Sequence, residues 1–348
     1  MRSAALAAPL LLAASGCGGT QERPPHATLD DWALFERTAV PLVPRPGVEP
    51  YEVIAPLWMD HADKFRFLVL PEGARIGWSD EGIWGLPEGT ILVKSFGYRA
   101  DLRDPASPVR MVETRLLVHE AAGWKPYIYL WNDAQNATER IVAGARVPVR
   151  WIGHDGAERA LDYRVPNEAH CTGCHGGHGE VRPLGVRTRQ MDRARTHDGG
   201  EVNQIDRLAA LGWFDVPPPP AAGRERMADP ASEEPIDVRA RSYLDANCAH
   251  CHRDGGLGGS TGLWLEWEQD DPYRLGVCRR PIAAGAGTGG RLFDIVPGRP
   301  EQSIMIFRMQ SDDPGIKMPE LPSQLPDELG VRVVSEWIAS LEGDCGAP

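Results

Sequence analysis

Two pentapeptides hold the residues of this chain that are best suited to chemistry. They read Cys171-Thr-Gly-Cys174-His175 and Cys248-Ala-His-Cys251-His252. Cys-x-x-Cys-His is the attachment motif for c-type haem. The two thiols of such a motif bind the porphyrin as thioethers, and the histidine becomes the proximal ligand of the iron. The sequence therefore predicts two covalently bound haem c groups, with His175 and His252 as axial ligands.

The same residue types have two other common uses. Cys-x-x-Cys knuckles bind zinc, and a single Cys-x-x-Cys beside a βαβ pattern is typical of thioredoxin-like redox proteins. The two motifs begin 77 residues apart, at positions 171 and 248, which is much wider than in a compact zinc ribbon. A dithiol site needs one motif and no histidine after it. Haem is our prediction, with zinc and a dithiol site as the alternatives.

A sixth ligand for the second iron is suggested by Met318. This residue follows His252 by 66 positions and directly precedes Pro319, whose ring stiffens the loop that carries the sulfur. A thioether is a soft ligand, and Met/His ligation raises the potential of a haem. We predict that Met318 ligates the second iron, the alternative being an ordinary packing residue.

The first iron has no equally clear partner. Met191, His197 and Met227 lie between the two motifs, and no Met-Pro pair occurs there. We favour Met191 because a loop could fold it over the ring. A five-coordinate iron is the alternative, and such an iron could bind peroxide or another small ligand.

The N-terminus has the pattern of an export signal. Arg2 precedes an apolar stretch at 4–14 that is too short to span a bilayer. The stretch ends in Ala14-Ser-Gly-Cys17, which resembles the lipobox of bacterial lipoproteins. We expect a signal peptide at 1–17, a lipidated Cys17, a tether at 18–28, and a periplasmic or cell-surface protein held to the membrane by lipid only. Ordinary signal cleavage nearby is the alternative.

Cysteine count and charge add two expectations. Of the 7 cysteines, Cys17 is assigned to lipid and four to haem, which leaves Cys278 and Cys345. In an oxidising compartment these two are expected to form a disulfide, the alternative being two unpaired buried thiols. The formal charge of −12 argues against nucleic acid as a partner.

The predicted fold class is α+β with several domains. An antiparallel β-sandwich or barrel is expected at 29–165, because short alternating runs separated by turn signals recur there. These runs cover 65–70, 90–96, 112–118, 126–131 and 147–152. A first haem segment follows at 166–234, with one clear helix at 202–212.

The remaining residues, 235–348, are expected to be mainly helical. Apolar spacing predicts helices at 235–251, 303–309 and 326–341. A helix that runs into Cys-x-x-Cys-His and a C-terminal aromatic helix resemble the two helices that cross in small class I cytochromes c. This resemblance implies a cytochrome c-like domain around the second haem.

The whole chain resembles bacterial dihaem c-type cytochromes, many of them lipoproteins, that join an N-terminal β domain to a C-terminal cytochrome c domain. The likeness covers about Asp30 to Leu341. It is carried by Ala55–Asp60, Glu113–Val118, Val165–Asn167 leading into Cys171, Asn203–Ile205 and Arg239–Cys248. Related modules are joined to sorbosone-dehydrogenase-like propellers, which implies a quinoprotein-type dehydrogenase as electron donor. At Met191 the chain departs from the family, whose members tend to carry Leu-Asn there.

We therefore expect an exported electron-transfer protein that passes single electrons between redox partner proteins, rather than an enzyme. Two alternatives come from other classes. One is a dihaem peroxidase with a five-coordinate first iron, and the other is a surface-binding module in which the β domain is the binding element.

Overall fold

The chain folds as a mixed α+β protein. The computed structural model describes residues 26–177, 180–197, 199–282, 284–320 and 323–346. The predicted signal segment, Cys17 and most of the predicted tether lie outside these residues. Within them, no helix is both long enough and apolar enough to cross a membrane.

Six strands form one antiparallel sheet in chain order, with β1 and β6 at its edges. Their bounds are β1 Val48–Tyr51, β2 Asp63–Val69, β3 Ile91–Arg99, β4 Val109–Glu120, β5 Gly123–Trp131 and β6 Thr138–Ile141. β-Branched and aromatic residues favour these extended segments. A two-residue turn joins β4 to β5, where Gly123 has a φ of 104° that other residues rarely adopt. The predicted antiparallel β domain is present as this sheet.

A separate hairpin adds a partial second layer. Strands β7 Ala145–Ile152 and β8 Glu158–Val165 pair with each other and not with the six-stranded sheet. Trp151 and Tyr163 of the hairpin pack against Phe96 and Ile128 of the sheet. The second layer is thus two strands wide.

Successive side chains of a strand point to opposite faces of the sheet. Both faces of this sheet carry apolar side chains, and other segments of the chain cover both. On one face, Phe67, Val93 and Leu116 pack against Leu29 and Phe35 of the N-terminal segment. The opposite face carries a row formed by Leu68, Leu92 and Leu117, which packs against the first haem segment.

The first haem segment contains three short helices and two small hairpins. They are α1 Glu168–His175, β9 Gly176–Gly177, β10 Glu180–Val181, α2 Thr188–Met191, β11 Ala194–His197, β12 Gly200–Asn203 and α3 Gln204–Ala210. Helix α3 lies inside the helix predicted at 202–212. Buried Ile205 and Leu208 of α3 join the cluster on the sheet face, so this segment is packed against the β domain.

Three α-helices joined by long irregular segments make up the C-terminal part. They are α4 Ile236–Asn247, α5 Ile304–Gln310 and α6 Glu328–Ser340. Over the whole described chain, single 3-10 turns lie at Leu29–Trp32, Ala221–Gly223, Gly259–Thr261, Gly285–Thr288 and Pro300–Gln302. The three predicted helices are present, and every end lies within four residues of its predicted position. The part as a whole has less helix than predicted, because proline and glycine keep much of 253–303 irregular.

Helices α4 and α6 pack around one apolar core. Buried Leu244, Val333, Trp337 and Ile338 form its centre. Gly330 lies directly against the ring of Tyr243, so close that a Cβ atom at this position would overlap the ring. A disulfide between Cys278 and Cys345 ties the segment after α6 to this core. The arrangement fixes the end of α4, from which the second motif begins.

Candidate functional site

The two Cys-x-x-Cys-His motifs meet in space. The thiols of Cys174 and Cys251 and a ring nitrogen of His250 all lie within 4.8 Å of one another. The guanidinium of Arg253 also donates a hydrogen bond to the carbonyl of Gly176, at 2.6 Å. Sequence spacing could not show this contact, since 77 residues separate the motifs.

Helix α1 carries the whole first motif. Asn167 caps the helix, its side chain accepting a hydrogen bond from the His170 amide at 2.7 Å. Cys171 and Cys174 lie one turn apart, and His175 is the last residue of the helix. Because the thiols and the ring leave one short helix, all three can approach a single flat group.

His175 has the form that a metal ligand requires. Its Nδ1 lies 2.9 Å from the carbonyl oxygen of Arg182, so this nitrogen carries the proton and donates it. The lone pair is then left on Nε2. Burial lowers the pKa of His175 to about 4, which keeps the ring neutral at pH 7.

A cavity of about 620 Å³ adjoins the first motif. Cys171, Cys174 and His175 line one part of its wall, and the six-stranded sheet lines another. The volume falls in the range of pockets that hold one cofactor-sized molecule, roughly 300–1,000 Å³. A flat cofactor joined to both thiols therefore has space beside His175.

The second motif follows the last residue of α4. Burial lowers the pKa of His252 to about 4, and its Nδ1 is buried without a hydrogen-bond partner among the described residues. The backbone of Leu263 lies close enough to the ring to oppose this lowering of the pKa. A neutral ring can bind a metal through Nε2, although Nδ1 of His252 lacks, in the described part of the chain, the kind of partner that orients His175.

Met318 and His252 both adjoin Arg308. The amide of Met318 donates a hydrogen bond to the carbonyl of Arg308 at 3.0 Å, and the charge of Arg308 acts on the ring of His252. Glu320, two residues after Met318, acts on the thiol of Cys251. The loop that carries Met318 thus lies within electrostatic range of the second motif, and iron ligation by Met318 stays a prediction.

The four motif cysteines are free thiols, in contrast to Cys278 and Cys345. Burial raises the pKa of Cys171 to about 11 and that of Cys248 to about 12. The hydrogen bond between the other two thiols lowers the pKa of Cys174 and raises that of Cys251. All four remain available for thioether bonds.

The zinc alternative finds three ligands together, the number that catalytic zinc sites take from the protein. The group of Cys174, His250 and Cys251 has three members among the described residues, whereas structural zinc sites use four. Cys171 and Cys248 lie outside the group. His250 was not singled out from the sequence, and its only signal there is its position inside the second motif.

The candidate distal ligands of the first iron lie away from the cavity wall. Met191 is fully buried against Ile205 and Leu208, and its sulfur faces the side-chain amide of Gln204 at 3.9 Å. Met227 packs with Ile54 and Ala55, and His197 ends strand β11. Met191 would have to leave a filled core to reach an iron.

The loop at 55–60, in the predicted β domain, is hydrogen-bonded to both of the predicted segments that follow that domain in the chain. The amide of Ala55 donates to the side chain of Gln190 at 2.9 Å. The amide of Trp58 donates to the side chain of Asn247 at 2.7 Å, and Asp60 accepts from the amide of Leu325 at 2.7 Å. Parts of the chain predicted as separate domains thus share one buried polar junction.

Comparisons with known proteins find no relative. No family model, no curated protein sequence and no solved structure matches this chain. The functional interpretation therefore depends on the residues and their geometry.

Proposed function

We propose that this chain is an exported dihaem c-type cytochrome that carries single electrons between a donor and an acceptor protein. One observation carries the proposal. Two Cys-x-x-Cys-His motifs, far apart in sequence, lie side by side in the fold with their second thiols in contact. Two separate zinc or dithiol sites would not need this contact. One zinc shared by Cys174, His250 and Cys251 would leave Cys171, Cys248, His175 and His252 without a role, whereas electron transfer between two haems needs their edges to be close.

Each motif supplies the groups that a c-type haem uses. Cys171 and Cys174 would hold the first haem, with His175 as its proximal ligand. Cys248 and Cys251 would hold the second, with His252 and Met318 as its axial pair. Once attached, haem supplies one-electron iron chemistry. The crossing of α4 and α6 supports a cytochrome c-like arrangement around the second motif.

The rest of the chain would set how the haems behave. Packing limits the access of water to the neutral histidines, and the hydrogen bond from His175 to Arg182 orients one of them. Met318 as a ligand would make the second haem the one of higher potential. The resemblance to dihaem lipoproteins suggests a quinoprotein-type dehydrogenase as donor and a lipid anchor at Cys17.

A second candidate function is favoured by the cavity beside the first motif. Its lining residues in the described part of the chain include no methionine, although they include His170 and His250. An iron held only by His175 would be five-coordinate and open to peroxide, as in a dihaem peroxidase. Hydrogen peroxide turnover with a reduced electron donor distinguishes the two, and turnover at enzymatic rates would favour the peroxidase.

Mass spectrometry together with a redox titration tests the proposal. The chain is produced with a haem-ligation system, in parallel with the variants Cys171→Ala/Cys174→Ala and Cys248→Ala/Cys251→Ala. The wild type should carry the mass of two haems and each variant that of one. The titration should resolve two potentials. A wild-type chain with zinc or without added mass would contradict the proposal.

A further inference from the structure

Three cationic side chains form a row across the sheet. Arg66 of β2 pairs with Lys94 of β3, and Lys94 pairs with Arg115 of β4. Residues that face each other in this way on antiparallel strands lie about 5 Å apart, and like charges there destabilise the sheet. A row of three cations in the interior is therefore costly unless something neutralises it.

One carboxylate of the protein is bonded to this row, and the charge of Glu52 also acts on Arg66. Glu113 accepts a hydrogen bond from Nε of Arg115 at 2.8 Å and another from the hydroxyl of Tyr163 at 2.6 Å. Neither Arg66 nor Lys94 forms an ion pair or hydrogen bond within the described residues. Both keep some accessible surface, yet protein surrounds them closely enough for burial to lower the pKa of each.

The row lies between two covered parts of the same sheet face. The apolar row of Leu68 and Leu92 on one side is covered by the first haem segment, and Phe96 on the other is covered by the β7–β8 hairpin. Between them the three cations line the 620 Å³ cavity. On another part of the wall, Arg187 and Arg189 are paired with Asp245 and Glu268, at 3.2 and 2.5 Å.

The row also has a direction relative to the first motif. Arg115 lies within electrostatic range of the Cys171 thiol, and Lys94 within range of His175. Arg66 lies two strands away from Arg115, which is a distance of roughly 10 Å at the usual spacing between strands. A flat molecule bound at Cys171 and centred on His175 would direct its far edge toward Arg66.

We propose that Arg66 and Lys94 bind the propionate carboxylates of the first haem, so that the β domain is the anion-binding wall of that haem site. This inference rests on the proposed function. Carboxylates are the natural partners of buried arginine and lysine, and a haem has them on the edge opposite its thioether bonds. Covalent attachment and ion pairing would then hold the molecule from opposite ends.

The test compares Arg66→Gln, Lys94→Met and the double variant with Arg150→Gln, a matched control at an exposed position of β7. Melting temperature is measured for the haem-loaded full chain and for the full chain made without haem ligation. The midpoint potential of the first haem is measured on the loaded proteins, with the Cys248→Ala/Cys251→Ala background to isolate its signal.

The loaded variants should melt at lower temperature than wild type, because the propionates lose their partners. The potential of the first haem should fall, because a nearby cation favours the reduced iron. The haem-free variants should instead melt at higher temperature, since repulsion along the row is relieved. This reversal of sign is the expected signature, and the Arg150→Gln control should show none of these shifts.

Loaded variants that match the control in potential and melting temperature would overturn the inference while leaving the dihaem proposal intact. Melting with added succinate or phosphate tests whether the row binds a free anion. If either raises the melting temperature of loaded wild type but not of the double variant, the row binds a free anion and not the propionates. A wild-type chain that takes up no haem would overturn the proposed function itself.

Discussion

Neutral imidazole is the state in which histidine binds iron, and burial secures it at both motifs. The pKa of His175 and that of His252 are each lowered to about 4. Unfolded histidine protonates near pH 6.5, so the haem-free protein loses stability as the pH falls from about 6.5 to 4. The burial that keeps these two rings neutral thus makes the haem-free fold sensitive to acid.

Replacing Met318 with alanine should lower the potential of one haem. Loss of a thioether ligand removes a group that favours ferrous iron, and changes of axial ligand shift haem potentials on the order of 100 mV. A spectroscopic redox titration of the loaded protein measures the change. Met305→Ala, at a half-buried methionine that packs on the C-terminal core, is the control. Two unchanged potentials in Met318→Ala would remove this residue as a ligand.

Replacing Asp294 with asparagine should stabilise the protein near neutral pH. Burial raises the pKa of Asp294 to about 6, although Arg279 and Arg308 oppose the shift. The folded state therefore holds a proton that the unfolded state releases near pH 4. Wild-type stability from this group falls as the pH rises from about 4 to 6, by up to about 3 kcal/mol.

Urea denaturation at several pH values measures this effect. The free energy of unfolding of Asp294→Asn should equal that of wild type near pH 4 and exceed it above pH 6. Asp312→Asn, at an exposed position, should follow the wild type throughout. A constant difference between Asp294→Asn and wild type from pH 4 to 7 would show that the carboxyl does not titrate in this window.

Strands and helices with strong local patterns were predictable from the sequence. The five predicted runs all lie in or overlap strands β2, β3, β4, β5 and β7, and the predicted C-terminal helices are α4, α5 and α6. Strands β1, β6 and β8 were missed because four-residue edge strands and a polar hairpin strand show little alternation. Their pairing depends on neighbours that are distant in sequence.

Part of the candidate site could also be predicted from the sequence, and part could not. Both motifs are visible as sequence, because one short segment supplies each set of thiols and histidine. The contact between Cys174 and Cys251, and the row of Arg66 and Lys94, depend on packing and strand register. Register places residues of opposite strands together without any local signal, so these features required the structure.

The crossing of α4 and α6 should depend on Gly330. A methyl group there would overlap the ring of Tyr243, and overpacking a core typically costs about 1–3 kcal/mol. The gain in helix propensity from alanine, about 1 kcal/mol, offsets part of this. We expect Gly330→Ala to lower the free energy of unfolding by up to about 2 kcal/mol, measured by urea denaturation.

A double-mutant cycle with Tyr243→Leu isolates this contact. Because leucine is smaller than tyrosine, Gly330→Ala should cost less in the Tyr243→Leu background than in wild type. An equal cost in both backgrounds would place the effect elsewhere in α6.

Asn247 joins the β domain to the C-terminal part. Its side chain is fully buried, accepts from the amide of Trp58 at 2.7 Å, and donates to the carbonyl oxygens of Tyr243 and Pro56 at 3.1 and 3.3 Å. Asn247→Ala would remove the side-chain partner of the Trp58 amide and of the Pro56 carbonyl, at a cost of about 1–3 kcal/mol. Urea denaturation should show this loss, and exposed Asn136→Ala should show none.

The meeting of the two motifs predicts magnetic coupling between the two irons of the loaded protein. Each haem would be attached through one of the two touching thiols, Cys174 or Cys251, so the haem edges would be close. Two paramagnetic ferric centres at short range relax each other. In the oxidised wild type, each ferric signal should therefore saturate at higher microwave power than in the Cys171→Ala/Cys174→Ala or Cys248→Ala/Cys251→Ala variant. Identical saturation in wild type and single-haem variants would mean that the haems are far apart, and a direct electron path between them would have to be abandoned.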